Sequence, residues 1–314
     1  MPPQILQVGS YAAWDEEPLN AAFAVHRYFE ADDKAAFLAA VGPQIRGIAT
    51  RGDLGAPRAM IEACPALEVI AVYGVGTDAV DLDLCRERGI RVTNTPDVLT
   101  DDVADLAVAM MLCLGRGMLG AEAWIRDGHW SQRGGYGLQR RVSGRRAGIL
   151  GLGRIGFAIA KRLKGFDMRV TYCGPSPKSH AADLGFVADP VALAAGCDVL
   201  FVTLAASAET QNIVGRRVIE ALGPDGTLIN VSRAANVDEA ALLEALESRA
   251  LGAAGLDVFA GEPALDPRFL LLDNVLLQPH HGSGTVETRR AMGQLVRDNL
   301  AAHFAGRPLP TPVV

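Results

Sequence analysis

No C-x-x-C pair occurs in the 314 residues, and the five cysteines, Cys64, Cys85, Cys113, Cys173 and Cys197, are scattered. That spacing supplies neither a metal-ligand cluster nor a disulfide framework, and it suits reduced thiols in a cytoplasm. Positive charge is in deficit, with 30 Lys and Arg against 36 Asp and Glu and a formal net charge of −6. A general nucleic-acid binder needs a basic face, so no nucleic-acid partner is expected. The opening MPPQILQVGS has no basic segment leading into an apolar one and does not read as a secretory signal. The most apolar run, residues 106–114, is far too short to span a bilayer and reads as a buried helix, so no membrane partner is expected. Internal repeats and low-complexity segments are also missing. What remains is the composition of an ordinary soluble protein, 49% hydrophobic and 21% charged, in a chain too long for one ordinary core. Two domains are expected.

Residues 147–156, AGILGLGRIG, are the stretch around which the rest is organised. A short apolar strand runs into Gly151-x-Gly153-x-x-Gly156, and a helix with Ile155, Ile159 and Leu163 on one face follows over residues 154–164. Gly151 permits the tight turn, Gly153 lets the backbone approach a pyrophosphate, and Gly156 lets the helix sit close on the sheet. The helix N-terminus then offers N–H groups and the positive end of its dipole to phosphates. A lone glycine fingerprint is weak, but the strand before it and the amphipathic helix after it supply the setting of a dinucleotide site.

Before that motif, strands are expected at residues 5–8, 45–50, 68–73 and 90–93. Helices are expected between them at residues 19–29, 34–40, 58–64 and 82–88. That alternation implies a parallel sheet covered on both faces. Residues 100–114 form a long apolar helix capped by Thr100 or Asp101 and lead into the second domain. Residues 130–146, rich in Gly and Arg, are either a solvated loop or an arm packing on a second subunit. Further strands are expected at residues 168–173, 198–204, 227–232, 253–258 and 275–278. The last helix, residues 286–304, has no local partner left and returns to the first domain. The fold class is therefore α/β, with two doubly wound parallel-sheet domains. Residues 98–285 form a Rossmann dinucleotide-binding domain, and residues 1–97 with 286–314 form a smaller, discontinuous, flavodoxin-like substrate domain.

Three chemically capable residues fall just after late strands, where an open α/β sheet places its ligands: Arg233, Glu262 and His280. Singly, each has a plainer reading as a helix cap, a loop charge or a structural histidine. Together, behind a nucleotide fingerprint, they supply what hydride transfer to a 2-keto acid requires. A guanidinium holds a carboxylate and polarises a carbonyl. An imidazolium protonates the developing alkoxide, and a carboxylate beside it stabilises that charged form and orients the ring.

Six segments in order, YGVGTD (73–78), NTPDVLTDDVAD (94–105), GILGLGRIG (148–156), INVSR (229–233), GLDVFAGEP (255–263) and QPHHGSGT (278–285), are similar to those of the D-isomer-specific 2-hydroxyacid dehydrogenases. The likeness spans nearly the whole chain, and the glyoxylate/hydroxypyruvate reductase branch is the one it most resembles. The resemblance implies an NAD(P)-dependent oxidoreductase that reduces a small 2-keto acid such as glyoxylate or hydroxypyruvate to the D-2-hydroxy acid. It implies that Arg233, Glu262 and His280 are catalytic and that the backbone N–H groups of Val75 and Gly76 hold the substrate carboxylate. It implies cofactor contacts from Thr100, Gly151, Leu152, Gly153, Arg154, Ile155, Gly156, Leu204, Val231, Ser232, Asp257, His280 and Gly282. His281 is read as a pocket wall, and Arg51 and Trp130 either shape the pocket or lie on a surface or interface. No metal site is expected. The same resemblance leaves a nucleotide-sensing corepressor-like scaffold as one alternative, and an enzyme of bulkier 2-keto acids or of phosphoglycerate as another. It also points to a homodimer built on the cofactor domain.

Cofactor choice turns on one more absence. An NAD enzyme of this fold carries Asp or Glu at the end of its second strand, about 20 residues past the fingerprint, bonded to the ribose 2′-OH. Here that strand ends in YCGPSPK, residues 172–178, and no carboxylate lies between Asp167 and Asp183. Ser176 and Lys178 suit a 2′-phosphate instead, although Lys178 also reads as a plain loop charge. NADPH is the expected cofactor, with NADH as the alternative.

Overall fold

Two parallel sheets organise the chain in the computed structural model, which describes residues 2–314. The first contains β1 (Gln4–Gln7), β2 (Ala24–Arg27), β3 (Gly47–Arg51), β4 (Val69–Tyr73) and β5 (Arg91–Thr93), in the order β2-β1-β3-β4-β5. That order is the flavodoxin-like one. The second contains β6 (Arg146–Leu150), β7 (Arg169–Cys173), β8 (Gly185–Val187), β9 (Val199–Val202), β10 (Thr227–Asn230), β11 (Ala253–Leu256) and β12 (Val275–Leu277). Its order, β12-β11-β10-β9-β6-β7-β8, is that of a doubly wound Rossmann sheet with one strand added. Every pairing in both sheets is parallel. Parallel sheets are covered on both faces, which is why β4, β9 and β10 are buried at every residue instead of alternating.

The chain divides into two compact units, Met1–Leu99 with Ser283–Val314, and Thr100–Gly282. In the first, Ile48, Ile70 and Val92 centre a core flanked by Ile61 and Leu84. Each such side chain removed from water contributes about 1.5–3 kcal/mol. The helix Val286–Phe304 packs on β4, and the Tyr73 hydroxyl donates to Arg289 O at 2.6 Å. Arg297 pairs at 2.8 Å with Asp15, a carboxylate only 1% exposed that would be costly to leave alone. In the second unit, Leu200, Leu228 and Leu246 centre the core. The helix Thr100–Gly115 packs there against β10, β11 and the helix Arg154–Lys164. Asp105 holds Arg162 at 2.5 Å along that contact.

The structure departs from the sequence-based expectation in three places. Residues 19–29 are not one helix: a helix Ala13–Ala22 is followed by β2, whose ladder with β1 (Ile5 opposite Val25) overrides the local pattern. The edge strand β8 had no expected counterpart, having only three residues. In the glycine- and arginine-rich segment, residues 129–133 are helical, and a further helix, Met118–Arg126, precedes them. Residues 131–141 are exposed throughout. No single helix among the described residues is long and apolar enough to cross a membrane.

Candidate active site

The glycine turn does locally what its spacing requires. Gly151 has φ +97°, a conformation in which a side chain would be strained. A Cβ on Gly156 would lie 2.4 Å from Gly151 O and 2.9 Å from Thr203 Oγ1, so only glycine lets the helix settle here. Gly153 is the opposite case, for a Cβ there would meet nothing within 4 Å. Gly153 is also the N-cap of the helix Arg154–Lys164, and no side chain caps that end. Backbone donors of the first turn, at Arg154, Ile155 and Gly156, therefore face the open side with the dipole behind them.

A cleft of 210 Å³ continues from this turn, lined by Gly151, Leu152, Gly153, Tyr172, Gly174, Pro175, Lys178, Thr203, Leu204 and Ala205. A helix end without a side-chain cap, open space before Gly153 and an ammonium beyond it make a donor set that fits a dinucleotide. Lys178 is held in this lining by its own N–H, which donates to the Tyr172 hydroxyl at 2.6 Å. Ser176 lies in the same loop but outside the lining. Of the other expected cofactor residues, Thr100 opens the helix Thr100–Gly115, and Val231 and Ser232 are buried just after β10.

Arg233, Glu262 and His280 leave the same edge of the sheet. Asn230, Leu256 and Leu277 end the adjacent strands β10, β11 and β12, and Leu256 pairs in register with both of the others. A buried amide shapes the first turn: Asn230 Oδ1 accepts from Ser232 N (3.0 Å) and Ser232 Oγ (2.8 Å), while its Nδ2 donates to Arg233 O (3.1 Å). Asn236, fully buried, donates to both Ser232 Oγ (3.0 Å) and Leu204 O (3.1 Å), tying the Arg233 turn to the cleft wall. Neither asparagine stands out as functional in the sequence, because what each holds is set by the fold around it.

His280 Nδ1 lies 2.5 Å from Glu262 Oε1. The other carboxylate oxygen accepts from Phe259 N at 3.2 Å, and Glu239 Oε2 accepts from Ala260 N at 2.9 Å, so the loop carrying Glu262 is braced at two points. An ionised carboxylate only accepts, so Nδ1 carries the hydrogen and Nε2 is left as the ring nitrogen able to exchange a proton. His280 has φ +52°, unusual for a residue other than glycine. What holds it there is Asp257, 2% exposed, whose two oxygens accept from His281 N (2.5 Å) and Gly282 N (2.8 Å). Burial pushes the Asp257 carboxyl up from the ordinary carboxylate range, against the opposing pull of those N–H groups. His281 itself is exposed.

In the other unit, Val75 and Gly76 follow β4, and the carbonyl oxygen of Val75 accepts from Asn94 Nδ2 at 2.8 Å. Arg51 ends β3 and is engaged by Asp53 through two bonds, at 2.6 and 3.0 Å. Trp130 is exposed on the short helix His129–Arg133. No group of acidic, histidine or cysteine side chains among the described residues could hold a metal.

Residues 108–282 match the family described as D-isomer specific 2-hydroxyacid dehydrogenase, NAD binding domain. The chain belongs to the D-isomer-specific 2-hydroxyacid dehydrogenase family. It is accordingly an NAD(P)-dependent oxidoreductase. It is 44% identical over 310 residues to the hydroxyphenylpyruvate reductase of Plectranthus scutellarioides, covering 99% of this chain and 98% of that one. Among solved structures, a 2-hydroxyacid dehydrogenase from Ketogulonicigenium vulgare is 69% identical, with a TM-score of 0.94 and coverage of 100% and 99%. An NADPH-dependent glyoxylate/hydroxypyruvate reductase from Sinorhizobium meliloti, solved with NADP and malonate, is 41% identical, with a TM-score of 0.94 and coverage of 100% and 97%.

Proposed function

We propose that this family member reduces a small 2-keto acid, glyoxylate or hydroxypyruvate in character, to the D-2-hydroxy acid with NADPH. The observation that carries the reading is the 2.5 Å pairing of His280 Nδ1 with Glu262 at the sheet edge that also bears Arg233. Bound along the glycine turn, NADPH supplies the hydride for the carbonyl carbon. In this reading the N–H groups of Val75 and Gly76 hold the substrate carboxylate. The Arg233 guanidinium draws charge onto the carbonyl oxygen, and His280 Nε2–H delivers the proton to that oxygen. Glu262 keeps the ring oriented and balances the positive charge it carries before transfer. Asp257 fixes the backbone on which the ring is mounted and, with Thr100, Leu204, Val231, Ser232 and Gly282, borders the cofactor.

NADPH is favoured over NADH by Lys178 in the cleft lining and by the lack of a carboxylate after β7. A 2′-phosphate gains a charge-assisted bond from the ammonium, whereas a 2′-hydroxyl gains little. In Lys178→Ala the ratio of kcat/KM for NADPH to that for NADH should fall about tenfold or more. Wild type preferring NADH, or a variant with unchanged discrimination, would remove the argument.

We further propose a homodimer in a reducing, cytoplasmic setting. Met118, Leu119, Ile125, Trp130 and Leu138 are all exposed within residues 118–138 of the cofactor-binding unit, and exposed large apolar side chains suit a partner surface. All five cysteines are free thiols. Light scattering at micromolar concentration should give twice the chain mass, and a monomer mass would count against the dimer.

A further inference from the structure

A carboxylate held by backbone N–H groups is aimed by whatever fixes that backbone, because no side chain steers it. The loop after β4 is fixed from one direction. Thr95 grips Gly74 twice: its Oγ1 accepts from Gly74 N at 3.0 Å, and its N–H donates to Gly74 O at 2.8 Å. Asn94 Nδ2 donates to Val75 O at 2.8 Å. Asn94 is itself held from behind, since its carbonyl oxygen accepts from Thr311 Oγ1 at 2.6 Å, across 217 residues of sequence. Thr311 is locked in turn to Asn299, on the helix Val286–Phe304. Asn299 Nδ2 donates to Thr311 Oγ1 at 2.8 Å, and Thr311 N donates to Asn299 Oδ1 at 3.2 Å. Thr95 and Asn299 are both fully buried, and a satisfied buried polar chain of this kind is rigid.

From this unbroken series of hydrogen bonds we infer that residues 311–314 act at a distance on substrate binding. Thr311, through Asn94 and Thr95, is a positioning residue for the N–H groups of Val75 and Gly76. The segment is firmly seated on the first sheet, because Val313 N donates to Val92 O at 2.7 Å and Pro312 bridges Thr93 in antiparallel register. Hydrogen bonds weaken steeply as donors turn away, so a small rotation of the loop costs affinity for the acid while leaving the cofactor side untouched. The inference rests on the reading that Val75 and Gly76 bind the substrate carboxylate.

Steady-state kinetics of the full chain with NADPH and hydroxypyruvate test it. In Thr311→Val the KM for hydroxypyruvate should rise about tenfold, with kcat and the KM for NADPH within about twofold of wild type. Thr311→Ser, which keeps the hydroxyl, should restore the wild-type KM. Thr95→Val probes the other end of the chain, should Thr311→Val fail to fold, and should show the same split. Wild-type KM values in Thr311→Val and Thr95→Val, or a parallel loss in kcat and both KM values, would overturn the inference. Gly76→Pro removes one proposed donor outright and separates the two ideas. A wild-type KM in that variant sinks the carboxylate reading itself, whereas a raised KM there beside unchanged threonine variants sinks only the brace.

Discussion

Arg233→Ala should lower kcat/KM for the keto acid by about 10³-fold or more while leaving NADPH binding near wild type. In the proposed mechanism the guanidinium does two things at once, meeting the substrate's carboxylate and stabilising the charge that develops on the carbonyl oxygen. The second interaction strengthens in the transition state, so its loss falls on the chemical step. Arg233 is well placed for so specific a duty because its backbone is not free to wander. Asn230 fixes the turn through three bonds, and Arg233 Nη1 donates to Ser232 O at 2.9 Å. Arg233→Lys should recover only a small part of the loss, since an ammonium cannot reproduce the planar fork. Stopped-flow fluorescence for cofactor binding, run beside turnover, separates the two effects. Near-normal kcat/KM in the alanine variant would show that the oxygen is polarised by something else.

His280→Asn should cost about 10²–10⁴-fold in kcat for keto-acid reduction, the range over which a positioned acid acts. Glu262→Gln should cost less, on the order of 10²-fold, because an amide can still accept from Nδ1–H but brings no charge to balance the imidazolium. The order of the two losses is what the geometry dictates. In the proposed mechanism His280 Nε2 is the group that moves a proton, and Glu262, 2.5 Å from Nδ1, acts only through that other ring nitrogen. Combining the changes should cost little more than His280→Asn alone, since residues working as one unit are not additive. Product formation measured for the three variants gives the comparison. A Glu262→Gln enzyme slower than His280→Asn, or a fully active His280→Asn, would contradict the assignment.

Much of the fold was legible because its signals are local. The turn at Gly151, the close approach at Gly156 and the start of the helix at Arg154 each depend on neighbours a few residues away. Buried parallel strands such as Val199–Val202 announce themselves as short apolar runs. Two of the four edge strands were harder. Ala24–Arg27 and Gly185–Val187 are short and only partly buried, so a partner strand decides their conformation, not their composition. The helix Met118–Arg126 hides for a different reason: Met118, Leu119 and Ile125 are exposed, so its apolar residues do not mark a core-facing stripe.

At the candidate site, the positions of Arg233, Glu262 and His280 after three strands could be read from sequence. What holds them could not. Asp257 as the clamp on the His280 turn, Glu239 as the brace of the Glu262 loop and Thr311 behind Asn94 are tertiary contacts between distant segments. Arg51 shows the converse, a cation that looked available in sequence and is engaged by Asp53 two residues on.

Turnover by the purified wild-type protein shows whether this chain transfers a hydride to a small 2-keto acid. NADPH absorbance should fall only when glyoxylate or hydroxypyruvate is added, and chiral chromatography of the hydroxypyruvate product should show the D-hydroxy acid. Tight NADPH binding with no keto-acid-dependent oxidation would contradict the account and favour a nucleotide-sensing scaffold.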